Sequence, residues 1–422
     1  MATIIPIKYF NSYLLKKTSL KNEAPTNDWY VEESRIRGGY NNVQTGLAPR
    51  AFIYSEENNR EFLPNTLIYS GILNSRTGIN QSNVFSSGSE ITRKVDPSRG
   101  SIQKLYAEDT NLIIFQERKV NRALIDKDAI YTQEGQPIQT ASNVVIGAIT
   151  PYAGEYGISR NPESFAVYGY QKFFTDSDKG SVLMLSGNGI NEISNSGMYD
   201  FFRDQFSSLG GGVAIGGWDI HNKCYVLSIK SSNVFTTLSY DTSTNGWTSR
   251  YSYDPNNSFS IKNNFYTTNS GKIYQHYSQS NNRANFYGVQ YASTITTIFN
   301  SNPSSSKTFR TVNFEGNSNW SLYSFFTGQD TANPINKFIM PTTLGQMQNQ
   351  FLQNMFKQKE NKYFANLVNT SEFSQGEVVF GQSISGVKGF TATAVFSTDN
   401  SGGYSNNSEL FAVSTNYNES SY

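Results

Sequence analysis

The sequence predicts a mainly β protein, with propeller-like repeats of antiparallel sheets, an additional β-rich region and one or two helices. The first observation behind this prediction is a pattern of short apolar or aromatic runs, each bounded by Asp, Asn, Gly or Ser. Such runs are typical of antiparallel strands joined by tight turns. The pattern occurs twice between Ser101 and Ser194. The second observation is that looser copies of it follow around Trp218 and after Asn264.

The spacing of these copies favours radial repetition of one small sheet. Anchored on the apolar run after each turn, the copies lie roughly 40 to 60 residues apart, which is the period of propeller blades. The apolar runs of the two clearest copies are residues 112–115 (LIIF) and 182–185 (VLML). An irregular β-sandwich is the alternative, because hairpins resemble one another and the repeat is degenerate.

The repeats divide the chain into four regions. The predicted regions are an N-terminal arm at 1–28, a β-rich entry region at 29–100, a propeller-like repeat domain at 101–300 and a C-terminal β-rich region at 301–422. The arm combines lysines with short apolar pieces, which suits a segment that reaches across a neighbour or an ordinary chain terminus. It has no apolar core of secretory length, so we expect no signal peptide, and no membrane-spanning run is expected anywhere.

Three elements are predicted outside the repeats. Residues 198–204 have apolar side chains at helical spacing and predict a short helix. Residues 307–316 alternate as a strand, and residues 320–326 are expected to pair with it. A longer helix is predicted near residues 342–369, packed on its own domain or between subunits. Its apolar stripe consists of Leu344, Met347, Phe351 and Met355.

Composition argues against tight binding to nucleic acid. The chain has 422 residues with 34 Lys and Arg against 33 Asp and Glu, so its net charge is only +1. A near-neutral chain offers no electrostatic basis for holding DNA, RNA or an anionic membrane. It contains 29 Phe and 27 Tyr, which suits a β protein with large surfaces held against neighbours.

The sequence offers no credible active site, so we predict no enzyme and no catalytic, cofactor-binding or metal-binding residue. Its single cysteine, Cys224, excludes an internal disulfide and is expected in a strand-packed core, and His221 is expected in a hairpin turn. With His276 as the other histidine, no metal-ligand spacing emerges. Carboxylate pairs are expected to cap turns rather than to catalyse. These pairs are Glu32 with Glu33, Asp126 with Asp128, and Asp176 with Asp178.

Five ordered strings give the chain a family resemblance. Together they resemble the stabilisation or muzzle proteins of crAss-like phages, short-tailed phages of gut Bacteroidales, and the resemblance extends from about Trp29 to Tyr422. The strings are WYVEESRIRGGYNN at 29–42, SIQKLYAEDTNL at 101–112, RALIDKDA at 122–129, YGISRNPES at 156–164 and ELFAVS at 409–414.

This resemblance implies a structural virion protein at the distal end of the tail, similar in role to podovirus nozzle proteins. It implies a ring-shaped homo-oligomer, expected to be a hexamer, through which the genome and cargo proteins are ejected. Other tail proteins, such as hub, ring or fibre proteins, are the expected partners. A low net charge suits such a conduit, because every Lys or Arg paired with a phosphate slows the passage of DNA.

A second hypothesis is a receptor-binding or glycan-degrading tail protein. It would use exposed aromatic side chains against sugar rings, with Trp218, Trp247 and Trp320 as the candidates. Tryptophans more often fill the core of a sheet, which favours the structural role.

Overall fold

The computed structural model divides the chain into two compact units, residues 1–250 and 251–422. The predicted boundary at residue 300 lies inside the second unit. The described residues are 63–86, 91–131, 137–231, 234–327, 356–369, 384–398 and 408–419, apart from 72, 75, 318 and 361, with isolated strands within 14–42 and 336–348. Except for one short strand, the predicted N-terminal arm lies outside them.

The first unit begins with short strand pairings. Most are antiparallel, and β3 pairs in parallel with β8. The strands are β1 (Leu14–Lys16), β2 (Trp29–Val31), β3 (Ser34–Arg37), β4 (Asn41–Asn42), β5 (Thr66–Ile68), β6 (Leu73–Asn74), β7 (Ile79–Asn80), β8 (Val84–Ser86) and β9 (Thr92–Lys94).

Three four-stranded antiparallel meanders follow, each with its strands in chain order. The first meander consists of β10 (Ile102–Glu108), β11 (Asn111–Gln116), β12 (Val120–Tyr131) and β13 (Pro137–Pro151). The second consists of β14 (Ala166–Tyr168), β15 (Gln171–Asp176), β16 (Ser181–Ser186) and β17 (Gly189–Glu192). The third consists of β18 (Val213–Asp219), β19 (Cys224–Ser231), β20 (Val234–Asp241) and β21 (Gly246–Tyr251).

Tight turns join these strands where the sequence supplies turn residues. Asp109, Gly180 and Asn245 have φ values of 47°, 68° and 50°, in the left-handed region that Asp, Asn and Gly tolerate best. Each lies in the short loop between two strands. The turn chemistry therefore sets the ends of the strands, as the sequence predicts.

The second meander is buried on both faces. Phe174 and Leu183 pack against the first meander, and Phe173 and Val182 pack against the third. The continuous apolar run of residues 182–185 follows from this position, because a strand covered on both sides has no polar face. The three meanders are therefore stacked face to face.

Two connecting segments and an ion pair hold this stack together. The segment between the first two meanders lies against β11, where Ile158 N donates to Gln116 O at 3.0 Å. Lys172 of the second meander forms an ion pair with Glu108 of the first. The helix α1 (Tyr199–Ser207) links the second meander to the third and buries Phe202 and Phe206 between them. This helix confirms the prediction of a short helix.

Each of the four sequence copies corresponds to a separate antiparallel sheet. The first three are the meanders, and the fourth is a three-stranded sheet in the second unit. The prediction of a mainly β chain built from antiparallel sheets is thus confirmed. Among the described residues these sheets do not close into a ring, so propeller closure stays a prediction.

The second unit begins with the three-stranded sheet and a small hairpin and continues as two larger sheets. Its first strands are β22 (Asn257–Ile261), β23 (Asn264–Asn269), β24 (Lys272–Gln275), β25 (Asn285–Phe286), β26 (Val289–Gln290), β27 (Ser293–Phe299), β28 (Lys307–Gly316), β29 (Trp320–Thr327), β30 (Asn336–Lys337), β31 (Met340–Pro341) and β32 (Met347–Gln348). The remaining strands are β33 (Lys357–Lys359), β34 (Lys362–Asn366), β35 (Val368–Asn369), β36 (Ile384–Ser385), β37 (Val387–Gly389), β38 (Ala392–Thr398) and β39 (Leu410–Glu419).

The two larger sheets form a β-sandwich. One sheet has the order β27-β38-β29-β30, and the other is built on β28, which pairs with β34, β37 and β39. Their facing side chains form one core that includes Phe314 and Tyr363 from one sheet and Phe325 and Phe396 from the other. Phe314 and Tyr363 stack with their ring centroids 4.8 Å apart.

Two predictions for this unit are wrong. Residues 307–316 and 320–327 are both strands, but they lie in different sheets because both edges of β28 are already taken by other strands. In place of the predicted helix near 342–369, the described part of that segment contains strands joined by turns and short irregular stretches. In β34 the pairing with β28 places Tyr363 and Ala365 in the core, and the residues beside them are more exposed. Tertiary pairing imposes this period of two. The stripe residues Leu344, Phe351 and Met355 lie outside the described residues.

Candidate functional site: the C-terminal β-sandwich

Cys224 and His221, whose side chains could in principle act in catalysis, are part of the sheet framework. Cys224 is 3% exposed at the start of β19, and burial raises the pKa of its thiol to about 12. This confirms its predicted place in a strand-packed core. His221 lies in the turn between β18 and β19, as predicted. A thiol that is buried and protonated at neutral pH is not a nucleophile.

Of the three carboxylate pairs, the structure describes the side chains of Asp176 and Asp178 alone. Asp176 is buried and accepts hydrogen bonds from Gly157 N at 3.1 Å, Ser159 Oγ at 2.8 Å and Lys179 N at 3.2 Å. Burial raises the pKa of its carboxyl group, and these hydrogen bonds oppose that rise. Asp176 therefore caps the turn after β15, as predicted, and it links that turn to the segment between the first two meanders. Asp126 and Asp128 lie within strand β12 rather than beside a turn, and Glu32 and Glu33 lie outside the described residues.

In the described part of the chain, no group of three or more His, Cys, Asp or Glu side chains could hold a metal ion. Nor does any of its helices have the length and apolar character needed to cross a membrane.

Of the three tryptophans proposed for sugar stacking, two are core residues and the third is half-buried, which argues against that part of the second hypothesis. Trp218 and Trp320 are only 6% and 7% exposed. Trp247 is half-buried against Phe202, and its Nε1 donates to Ile193 O at 3.1 Å. Their faces are occupied by other side chains because they fill the spaces between sheets.

His276 lies in an aromatic cluster of the second unit. Its Nε2 is 2.7 Å from Thr267 Oγ1, which lies 2.9 Å from the Tyr287 hydroxyl. The rings of Tyr253 and Phe265 enclose the imidazole. Burial lowers the pKa of His276 from 6.5 to about 4, so the ring is neutral at pH 7.

This burial makes the stability of the protein depend on pH. Between pH 6.5 and about 4 the unfolded chain binds a proton at His276 that the folded chain does not, so stability falls as the pH falls. We expect a loss of up to about 1.4 kcal/mol per pH unit in that window and no effect above it. Urea unfolding at pH 7 and pH 4.5 measures the loss.

Matched variants isolate the contribution of His276. His276→Gln cannot take up the proton, so the difference in its unfolding free energy between the two pH values is expected to be smaller than in the native chain. His221→Gln, in a turn, serves as the control and should keep the native difference. Equal pH dependence in His276→Gln and the native chain would contradict the assignment.

Lys307 ties together three parts of the sandwich. Its side chain is 1% exposed, and Nζ donates to the carbonyl oxygens of Asn302 at 2.7 Å, Ser305 at 3.0 Å and Phe390 at 2.6 Å. The ammonium group also lies 5.8 Å from the centre of the Tyr417 ring. It thereby joins the β27–β28 loop, the turn between β37 and β38, and the end of β39. Carbonyl oxygens satisfy its three N–H donors, which makes burial of the charge tolerable.

The sheet that contains β27, β38 and β29 has an unusual surface. None of these three strands contains a charged residue. Ala394 and Phe396 of β38 face the core, so the residues between them face outward. Strand register places Thr296, Val395 and Ser324 side by side on that outer face. Exposed faces of soluble proteins normally carry charges, whereas the centres of protein interfaces are depleted of them.

Sequence reasoning missed this surface. Its signal is the absence of charge from residues 284–306, 316–329 and 389–398. Those segments are distant in sequence, and only strand pairing brings β27, β38 and β29 into one face.

Comparison with known proteins identifies a domain in this region. Residues 281–370 match the family model of the Crassvirus muzzle protein C-terminal domain. The matched segment includes strands β27, β28, β29 and β34 of the sandwich. No curated protein matches the chain. Residues 281–370 are therefore similar to the Crassvirus muzzle protein C-terminal domain, and the resemblance predicted from the sequence is confirmed by this match.

Proposed function

We propose that the protein is a structural component of a crAss-like phage tail, forming the distal muzzle or nozzle through which the genome and cargo proteins leave the particle. The observation that carries this proposal is the muzzle domain at residues 281–370, which supports a structural phage protein located in the virion. The proposed role is not enzymatic.

The proposed assembly is a ring of several copies, with a hexamer as the expected size. The three stacked meanders support a propeller-like arrangement of the first unit, because propeller blades are four-stranded sheets packed face to face. The net charge of +1 suits a wall along which DNA must slide. Tail hub, ring or fibre proteins are the proposed partners.

Cryo-EM of intact virions tests this proposal. The tail should be reconstructed without imposed symmetry and the chain traced into the density. We expect closed density around the tail axis at the distal end that accommodates this chain. Peripheral spikes would favour a receptor-binding protein instead, and mass spectrometry that fails to detect the chain in purified virions would reject both roles.

A further inference from the structure

Within the described part of the chain, the outer strand of the uncharged sheet has one edge without a strand partner. Strand β27 pairs along its seven residues with β38, without a register shift. Among the described residues, no strand pairs with its other side. Ile295 and Ile298 on this strand are 41% and 68% exposed. Proteins normally protect such an edge with a charge, a proline or a bulge, because unpaired N–H and C=O groups recruit further strands. None of these devices is present in β27.

In the other sheet of the sandwich, β39 has a similar edge when the described strands are considered. This strand pairs with β28 on one side, and the described residues contribute no strand to its other side. Its residues from Ala412 to Glu419 are consecutive partners of β28, so they form a run about as long as β27. Within β39 the only charged residue is Glu419, at its end. The pairing bulge on β39 lies at Phe411, outside that run and 75% exposed.

We propose that β27 of one copy pairs with β39 of a second copy and joins their sandwiches edge to edge. This inference rests on the proposed assembly of several copies and names the surfaces that would join them. Pairing of β27 with itself would close a two-fold dimer and leave every β39 edge open. Pairing of β27 with β39 uses both edges of each copy and continues from one copy to the next, which is the contact that rings require.

Disulfide cross-linking of the full-length chain tests this pairing. The native chain is expected to form little disulfide of its own. Cys224 is its single cysteine, is buried, and has a thiol pKa raised to about 12. One sample of the chain would carry Thr296→Cys, and another would carry either Ser414→Cys or Asn416→Cys. These three side chains are exposed. Mild oxidation of a mixture should give a covalent dimer that contains one chain of each kind.

The single variants provide the controls. Each alone should form little dimer, whereas a chain carrying both substitutions should form a ladder of higher species. Dimers of Thr296→Cys alone at the yield of the mixture would show that β27 pairs with itself. That result, or no cross-link in any mixture, would overturn the proposal.

A charge placed on the edge gives a second readout. Ile298→Lys should weaken self-association, measured by sedimentation of the full-length chain, by at least about tenfold, because a lysine would be buried in the contact. Ile273→Lys is the matched control, since Ile273 is also 68% exposed in the same unit but lies beside Lys272 on β24. Equal effects of the two variants, or none, would overturn the proposal.

Failure of this inference is separable from failure of the proposed function. A chain found in the tail tip of virions that forms none of the cross-links leaves the muzzle function standing and rejects the β27–β39 contact. Specific cross-links in a chain that is missing from the tail support the contact and reject the function.

Discussion

Gly216→Ala is expected to lower the free energy of unfolding by at least about 3 kcal/mol, because the first unit has no room for a methyl group there. A Cβ atom at this position would lie 1.9 Å from Ser164 O and 2.7 Å from the Tyr225 hydroxyl. That hydroxyl donates to Ser164 O at 2.7 Å, so the methyl group would also disturb a buried hydrogen bond. Urea unfolding of the purified chain measures the change.

The matched control is Gly187→Ala, in a turn of the second meander. A Cβ atom there would have no other atom within 4 Å, so we expect a change within about 0.5 kcal/mol. Similar losses in the two variants would show that the backbone of the third meander does not approach Ser164 as closely as described. A loss confined to Gly216→Ala would support the close packing of the second and third meanders.

Lys307→Met is the second substitution with a large expected effect, a loss of about 3 to 5 kcal/mol. Methionine is similar in length but cannot donate hydrogen bonds. It would leave the carbonyl oxygens of Asn302, Ser305 and Phe390 without the ammonium donor. Because these carbonyls belong to separate segments, the β27–β28 loop and the turn between β37 and β38 should loosen together. Thermal unfolding and hydrogen exchange of these segments measure both effects.

Lys272→Met, at an exposed position on β24, is the control. We expect it to change the unfolding free energy by no more than about 0.5 kcal/mol. If Lys307→Met were equally mild, water would be replacing the ammonium group at the three carbonyls. Loss of stability without greater exchange in the β27–β28 loop would show that Lys307 does not hold the loop.

Local sequence signals account for much of the first unit. Short apolar runs bounded by turn residues identified the strands of the meanders, and side chains such as Asp109 and Asn245 favoured the turns between them. These signals depend on a few neighbouring residues, so they can be recognised without knowledge of the fold. The buried position of Cys224 followed from the same pattern. Five ordered strings also indicated the muzzle family, to whose C-terminal domain residues 281–370 match.

Tertiary pairing decided what local spacing could not. Residues 362–366 carry no signal strong enough to distinguish helix from strand, and the edge of β28 makes them a strand. Both edges of β28 are occupied by other strands, so residues 320–327 pair within the opposite sheet. The uncharged face with Thr296, Val395 and Ser324 likewise exists only after distant strands pair. The mainly β class, the turns and the family resemblance could thus be read from the amino-acid sequence, because they depend on neighbouring residues. Which strands are partners, and which surface they expose, follows from the folded chain, because hydrogen bonding between strands joins residues far apart in sequence.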